Sequence, residues 1–236
     1  MGQLRQLSAN QQVGLLFVVL FGVLLLATSV TWLASLRDRD EAFSGVHQRF
    51  KRDLRAVWIG AVVFWVAWMS GAIGATLLAA VISFLALREF ITLQKTRRAD
   101  HRSLILAFFI VLPLQYLLVA NRHFDVFSVF IPVYMFLAFP VVSALADDPE
   151  RYLERNAKIQ WGVMVCVFGL SHAPALLLLE FPRYAGRGAF LLFFLVMVVA
   201  MGQIAQEIAS RRLRRTGVLR QIDRSFSYRA FGLGVL

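Results

Sequence analysis

The chain has 236 residues, 59% of them hydrophobic, and a formal net charge of +11. Its apolar residues stand in long uncharged runs, which excludes an ordinary soluble domain, since such domains are closer to half apolar. The alternating segments of roughly 10 residues that build a transmembrane β-barrel are not visible either. The composition therefore predicts a single all-α domain over 1–236, a polytopic helical integral membrane protein.

The first uncharged run covers 13–36. A helix of about 20 residues crosses a hydrocarbon core of roughly 30 Å, so this run is one span long. It is longer than the apolar part of a signal peptide, which has about 7–15 residues, and only Arg5 precedes it. We predict a retained leading span.

The second run, 56–87, is too long for one span, because 32 helical residues would reach about 48 Å. Ser70, Gly71 and Gly74 offer a break near its middle, which predicts two short spans, 56–70 and 72–90. The later uncharged runs are each about one span long, and they cover 103–121, 126–146, 159–179 and 188–206. The sequence thus predicts about seven spans, with a further apolar segment starting within 230–236.

The basic residues predict the orientation of these spans. Lys and Arg concentrate on the cytoplasmic side of membrane proteins. With two spans in 56–90, one side holds 21 of the 25 Lys and Arg, in the segments 37–55, 88–102, 147–158 and 210–229. With a single span over 56–87, the basic residues would instead be divided between the two sides, roughly 9 against 16. We therefore predict an inner-membrane protein with its N-terminus outside and its basic loops in the cytoplasm.

Polar residues inside or at the ends of spans are candidates for function. Glu89 closes a span, where it fits a metal or head-group ligand, but an interfacial carboxylate facing water is favoured. Ser171 and His172 precede Pro174, and satisfying backbone groups freed by the proline is favoured over catalysis. Cys166 is interpreted as a small buried hydrophobic residue.

A third polar group lies at the end of the last long run. Gln203, Gln206 and Glu207 recur at three- and four-residue spacing, so they share one helix face. That face fits the lining of a polar cavity, to which Glu89 is a further candidate, and it fits a hydrated helix end equally well.

The segment 210–229 carries the strongest signal, seven arginines against Asp223. Its candidate phosphate- or lipid-binding residues are Arg211, Arg212, Arg214, Arg215, Arg220, Arg224 and Ser227. The planar guanidinium group of arginine can donate two parallel hydrogen bonds to phosphate oxygens. A topology anchor on anionic head groups explains the charge as well. Nucleic acid fits less well, because the segment is tied to a membrane.

Three stretches resemble the phosphatidate cytidylyltransferase (CDP-diacylglycerol synthase) family: ISFLALREFITL, WGVMVCVFGLSHAPALLLL and GAFLLFFLV. The resemblance covers roughly 55–236, with family-like spans over 56–209 and with 13–36 as an extra leading span. It implies that CTP and phosphatidic acid are joined into CDP-diacylglycerol and pyrophosphate, with divalent metal ions such as Mg²⁺. It also makes the arginines phosphate clamps and Ser227 a hydroxyl contact.

The sequence departs from the family pattern at several positions. Gln203 stands where the family has an acidic residue, Phe226 at a lysine position and Arg229 at another acidic position. The family's C-terminal signature has no counterpart before Leu236. A shortened enzyme and a divergent homologue that lost the metal chemistry both fit, and the substitutions favour divergence. No catalytic residue and no metal ligand is assigned.

The expected function is therefore that of a phosphatidate cytidylyltransferase-like protein, incomplete or inactive as this chain alone. Its expected partners are membrane lipids, above all phosphatidic acid, together with CTP, and a homo-oligomer is compatible with the sequence. The alternative is a non-catalytic membrane protein that binds anionic lipid or scaffolds a partner. A small transporter is a third class. Transporters of this kind typically contain a repeat with paired broken helices, and this sequence shows only one such pair.

Overall fold

The structure, a computed structural model, describes residues 9–37, 44–180, 188–212 and 232, and within them the chain is helical with no β-strand. The chain divides into two compact units, Met1–Gly188 and Ala189–Leu236. The helices are α1 (Ala9–Arg37), α2 (Ser44–Met69), α3 (Gly71–Thr92), α4 (Arg98–Ala120), α5 (Phe124–Ala144), α6 (Tyr152–Leu178) and α7 (Gly188–Arg212).

Four of these helices, α3 to α6, are long and apolar enough to cross a membrane. Shorter apolar stretches lie in α1, α2 and α7, at Val13–Leu26, Val57–Met69 and Gly188–Val199. The predicted all-α membrane fold is thus confirmed for the described residues. The number of seven spans stays a prediction.

The predicted break within 56–87 is confirmed. Helix α2 ends at Met69, Ser70 forms a turn, and α3 begins at Gly71. Gly71 has a φ of 67°, a left-handed conformation that glycine adopts without the steric penalty of a Cβ atom. The glycine therefore separates two helices that would otherwise run together.

Helices continue past their apolar parts into all four predicted basic segments, including 88–102, where α3 runs to Thr92 and α4 begins at Arg98. Residues 44–55, predicted as loop, belong to α2, and α6 begins at Tyr152 inside the predicted connection 147–158. Residues 210–212 are the end of α7. Arginine and lysine are good helix formers, so a helix does not have to end where its hydrophobic residues end. The remainder of the loop, 213–229, lies outside the described residues.

Each of the helices α4, α5 and α6 contains one π-helical segment: Leu106–Val111, Phe130–Met135 and Met164–Gly169. Pro113, Pro132 and Pro174 lie in or just after these segments. Because proline lacks an N–H group and its ring meets the preceding turn, a wider turn beside it relieves the conflict. In α5, Pro140 frees the carbonyl of Phe136, which accepts a hydrogen bond from Nε2 of Gln160 at 2.8 Å.

The core of the first unit is formed by α3, α4, α5 and α6. Its fully buried side chains come from all four helices, among them Leu87, Val111, Phe139 and Val163. Helices α3 and α6 approach closely at Gly162, where an added Cβ atom would lie 2.7 Å from the ring of Phe90. The buried faces of these helices also carry the polar residues described next.

Helix α1 packs on α2 through aromatic rings. The centroid of Phe17 lies 5.1 Å from that of Phe64 and 5.4 Å from that of Trp68. Nε1 of Trp58 donates a hydrogen bond to Oγ1 of Thr28 at 3.0 Å. The predicted leading segment is therefore a helix in contact with the rest of its unit.

Candidate functional site

A cluster of five charged residues joins the α3–α4 connection, the α5–α6 connection and the start of α6. Nη1 of Arg155 lies 2.6 Å from Oδ2 of Asp148, its Nη2 donates to the Asp148 carbonyl at 2.9 Å, and its Nε lies 3.0 Å from Oδ1 of Asp100. Arg97 pairs with Glu150 and lies 3.6 Å from Asp148. We call these five residues the charged cluster.

The inner and outer parts of the charged cluster differ in exposure. The side chains of Arg155 and Asp100 are 6% and 3% exposed, whereas that of Asp148 is 27% exposed and that of Arg97 is 46% exposed. In a buried ion pair, little water is available to solvate one charge when the other is removed. The burial of Arg155 and of Asp100 in charged form therefore depends on their pairing. Arg97 also fixes Asp100 through its backbone N–H, which donates to Oδ2 at 2.8 Å.

Two pKa values in the outer part of the cluster are shifted. The hydrogen bond from Arg155, followed by that from the backbone N–H of Glu150, lowers the pKa of Asp148 below its ordinary value. The hydrogen bond and the charge of Glu150 raise the pKa of Arg97. Both shifts favour the charged forms of Asp148 and Arg97.

Two residues beside the Asp100–Arg155 ion pair carry buried polar atoms without a hydrogen-bond partner. They are Ser103, through its Oγ, and Asn156, through both Nδ2 and Oδ1, whereas Oδ1 of Asp100 and Nε of Arg155 are paired with each other. Ser103 follows Asp100 by one turn of α4 and Asn156 follows Arg155 directly, so each adjoins one member of the Asp100–Arg155 ion pair. We call Asp100, Ser103, Arg155 and Asn156 the buried polar site.

The loop over the buried polar site is bounded by two strained residues. Asp147 and Arg151 have φ values of 51° and 49°, in the left-handed region that non-glycine residues rarely adopt. Between them lie Asp148 and Glu150, whose carboxylates pair with Arg155 and Arg97. The ion pairs thus hold a loop whose backbone is otherwise unfavourable.

A second polar group lies at the opposite end of α4 and α6. Nε2 of Gln115 donates to Oγ of Ser171 at 3.3 Å, and Ser171 in turn donates to the carbonyl of Phe168 at 2.7 Å. Nδ1 of His172 lies 2.7 Å from the same carbonyl. Both contacts are to Phe168, whereas the carbonyl that lies four residues before Pro174 is that of Leu170, so the predicted role of Ser171 and His172 beside the proline stays a prediction. Cys166 is buried, as predicted.

The residues predicted to bind substrate or to line a cavity are only partly described. Glu89 is exposed near the end of α3, and its carbonyl accepts hydrogen bonds from Thr92 and Leu93, so the structure does not bring it to the buried polar site. Gln203, Gln206, Glu207, Arg211 and Arg212 lie on α7, but their side chains are outside the described part. Outside it altogether are Arg214, Arg215, Arg220, Arg224 and Ser227.

The described residues do not provide a metal site. Nowhere in the described ranges do three His, Cys, Asp or Glu side chains come close enough to hold a metal ion. The carboxylates of Asp100 and Asp148 are both occupied by Arg155. The use of Mg²⁺ stays an expectation from the family resemblance.

Sequence reasoning missed Asp100, Ser103, Arg155 and Asn156, which were counted only as parts of basic or apolar segments. One signal was present: Arg155 and Asn156 share the helix face of Ile159, which is buried, at a spacing of four and three residues. A polar pair that continues an apolar face is a candidate for burial. Asp100, the ion-pair partner of Arg155 in α4, has no comparable signal in the sequence.

The chain is similar to known proteins over most of its length. Residues 50–213 match the cytidylyltransferase family. The chain belongs to this family. The resemblance inferred from the sequence is thereby confirmed, and the matched range includes α3 to α6 and the whole buried polar site.

A relative in Escherichia coli (strain K12), the uncharacterized protein YnbB, is 33% identical over 205 residues. The alignment covers 86% of this chain and 65% of YnbB, so it spans less than two thirds of that protein. No solved structure gives a significant match. The family assignment thus rests on sequence.

Proposed function

We propose that this protein acts on CTP and phosphatidic acid at the cytoplasmic surface of the inner membrane, as a phosphatidate cytidylyltransferase-type protein. A phosphate oxygen of phosphatidic acid would attack the α-phosphorus of CTP, the bond to the β-phosphate would break, and pyrophosphate would leave. The observation that carries the proposal is the family match over residues 50–213. The four long apolar helices support a substrate that resides in the membrane.

The arginines after α7 are proposed to hold the phosphates of lipid and nucleotide. Transfer of this kind needs the charge on the phosphate oxygens neutralised, and guanidinium groups do so with well-directed hydrogen bonds. The proposed clamps are Arg211, Arg212, Arg214, Arg215, Arg220 and Arg224, with Ser227 as a hydroxyl contact. Any Mg²⁺ that the reaction uses would need ligands beyond the described side chains.

A second candidate, binding of anionic lipid without catalysis, is favoured by two substitutions. Gln203 is neutral where the family has an acid, and Arg229 carries the opposite charge at another acidic position. Metal ions in nucleotide sites usually rest on one or two carboxylates, so these changes weaken metal binding. This candidate keeps the lipid contact and loses the turnover.

One experiment separates the two candidates. The purified chain is incubated with phosphatidic acid micelles, labelled CTP and Mg²⁺, and CDP-diacylglycerol is followed by chromatography. Turnover that stops on chelation of the metal supports the transferase. Retention of phosphatidic acid over phosphatidylcholine without turnover supports the lipid-binding protein. Failure of both measurements removes both candidates.

The role of the arginines is tested by charge removal with a matched control. Changing Arg211, Arg212, Arg214 and Arg215 together to Gln should weaken binding of phosphatidic acid by about 1 kcal/mol for each residue. The control changes the four basic residues predicted on the other side, Arg5, Arg122, Arg183 and Arg187, to Gln. The control has the same change in net charge. Equal loss in both variants would show a general charge effect and would contradict specific clamps.

A further inference from the structure

We propose that the buried polar site, formed by Asp100, Ser103, Arg155 and Asn156, binds the hydrogen-bonding edge of the cytosine base of CTP. This inference rests on the proposed function, which supplies CTP as the ligand. It adds the residues that distinguish cytosine from other bases. These residues are separate from the arginines proposed to hold the phosphates.

The first support is the concentration of unpartnered atoms. Three buried side-chain atoms of the site lack a hydrogen-bond partner among the described residues, namely Oγ of Ser103 and both Nδ2 and Oδ1 of Asn156, while Oδ1 of Asp100 and Nε of Arg155 pair with each other. Native proteins pair nearly all such atoms with protein, water or ligand, because a buried unmade hydrogen bond is costly. The site therefore requires partners from outside the chain.

The second support is the chemistry of those atoms, which fits a neutral ligand with donors and acceptors side by side. Two carboxylates, Asp100 and Asp148, already surround the single guanidinium of Arg155, so a phosphate here would meet two like charges. The free atoms include an acceptor and a donor on the Asn156 amide. The Asp100 carboxylate can accept further hydrogen bonds besides those from Arg155 and from the backbone of Arg97. Ser103 can do either.

Cytosine presents a matching edge. Its amino group is a double donor, and its ring nitrogen and carbonyl are acceptors; carboxylates are established acceptors for the amino group. Asp100 and the Asn156 carbonyl would accept from the amino group, and the amide N–H of Asn156 would donate to the ring. Uracil carries a carbonyl where cytosine carries the amino group. It would face the Asp100 carboxylate, and polar sites reject such mismatches strongly.

The strained loop provides a way in. The buried polar site is closed in this structure, and the residues between Asp147 and Arg151 cover it through their ion pairs with Arg155 and Arg97. Opening this loop would relieve two left-handed residues while its carboxylates gain water. At its edge, Lys95 and Arg98 are exposed without an ion pair among the described residues, so they can meet the triphosphate.

The test measures binding and needs no turnover. The full chain is purified in lipid–detergent micelles, and its affinities for labelled CTP and UTP are measured by equilibrium dialysis. We expect CTP to bind at least about tenfold more tightly than UTP. Ser103→Ala and Asn156→Asp, which leave the ion pairs of Arg155 in place, should each reduce that preference by about tenfold while UTP binding stays unchanged.

Matched controls come from polar residues away from the buried polar site. Gln115→Glu corresponds to Asn156→Asp, because Gln115 is equally buried and also has an unpartnered oxygen. Ser128→Ala corresponds to Ser103→Ala, since Ser128 is exposed and bonds to its own helix. Gel filtration shows that each variant is folded, and Asn156→Ala replaces any variant that is not. The controls should keep the preference for CTP.

Each outcome decides the proposal. Equal affinity for CTP and UTP, or variants that keep the parent's preference, would overturn it, and the buried polar site would then hold bound water only. If CDP-diacylglycerol is still formed in that case, the proposed function stands without this inference. If neither nucleotide binds, the inference and the use of CTP fall together.

Discussion

The pairing of Arg155 with Asp100 makes a sharp prediction about stability. Arg155→Met keeps much of the side chain's apolar length and removes its charge. It breaks the 3.0 Å contact with Asp100 and the 2.6 Å contact with Asp148. Asp148 is partly exposed and can be hydrated, but Asp100 is 3% exposed and would be left as a buried carboxylate without its ion-pair partner.

Breaking a buried ion pair from one side costs about 3–5 kcal/mol. We therefore expect Arg155→Met to lower the free energy of unfolding by about 3–5 kcal/mol, and the double variant with Asp100→Asn to recover part of this loss, because it removes the buried charge. Arg98→Met is the matched control. Arg98 is exposed in the same connection and has no ion pair among the described residues, so the change should stay within about 0.5 kcal/mol.

The assay is equilibrium unfolding of the purified protein in mixed micelles, followed by the fluorescence of its five tryptophans. The parent, the two single variants and the double variant are measured side by side. The reasoning is refuted if Arg155→Met unfolds within about 1 kcal/mol of Arg98→Met, since a buried unpaired carboxylate could not cost so little. It is also refuted if Asp100→Asn adds a full second loss instead of relieving the first.

Three further predictions concern pH, backbone and topology. The guanidinium of Arg155 lowers the pKa of Asp148 in the folded state. The contribution of Asp148 to stability is therefore complete above its ordinary pKa of 3.8 and is lost as the pH falls below that value. Asp148→Asn should remove this part of the acid dependence of the melting temperature. Gly71→Ala should cost about 1–2 kcal/mol in the same melting assay because φ is 67°, whereas Gly60→Ala, in the body of α2 with open space around it, should not destabilise. Thr96→Cys in a Cys166→Ala background should be labelled by an impermeant thiol reagent only after the cytoplasmic side is opened, and labelling from outside would reverse the orientation.

Much of the fold follows from local sequence. Inside a bilayer no water is available to form hydrogen bonds with the backbone. Long uncharged runs therefore form helices, in which the N–H and C=O groups bond to one another. The same locality explains the break at Gly71, where the excess length of 56–87 required a turn and a glycine offered one. Helix ends were less predictable, as α2 shows, because the charged residues 44–55 are also able to continue a helix.

The candidate site was decided by the tertiary structure. Glu89 stood out in the sequence as a carboxylate at the end of a span, yet it is exposed, whereas Asp100 was one charge in a basic segment and is buried. Asp100 and Arg155 are separated in the chain by the two spans α4 and α5, and their contact exists because α4 and α6 pack together in the core formed with α3 and α5. Local sequence determines which segments become helices, since backbone hydrogen bonds close within a few residues. Only packing determines which polar side chains meet, since that depends on how distant helices are placed.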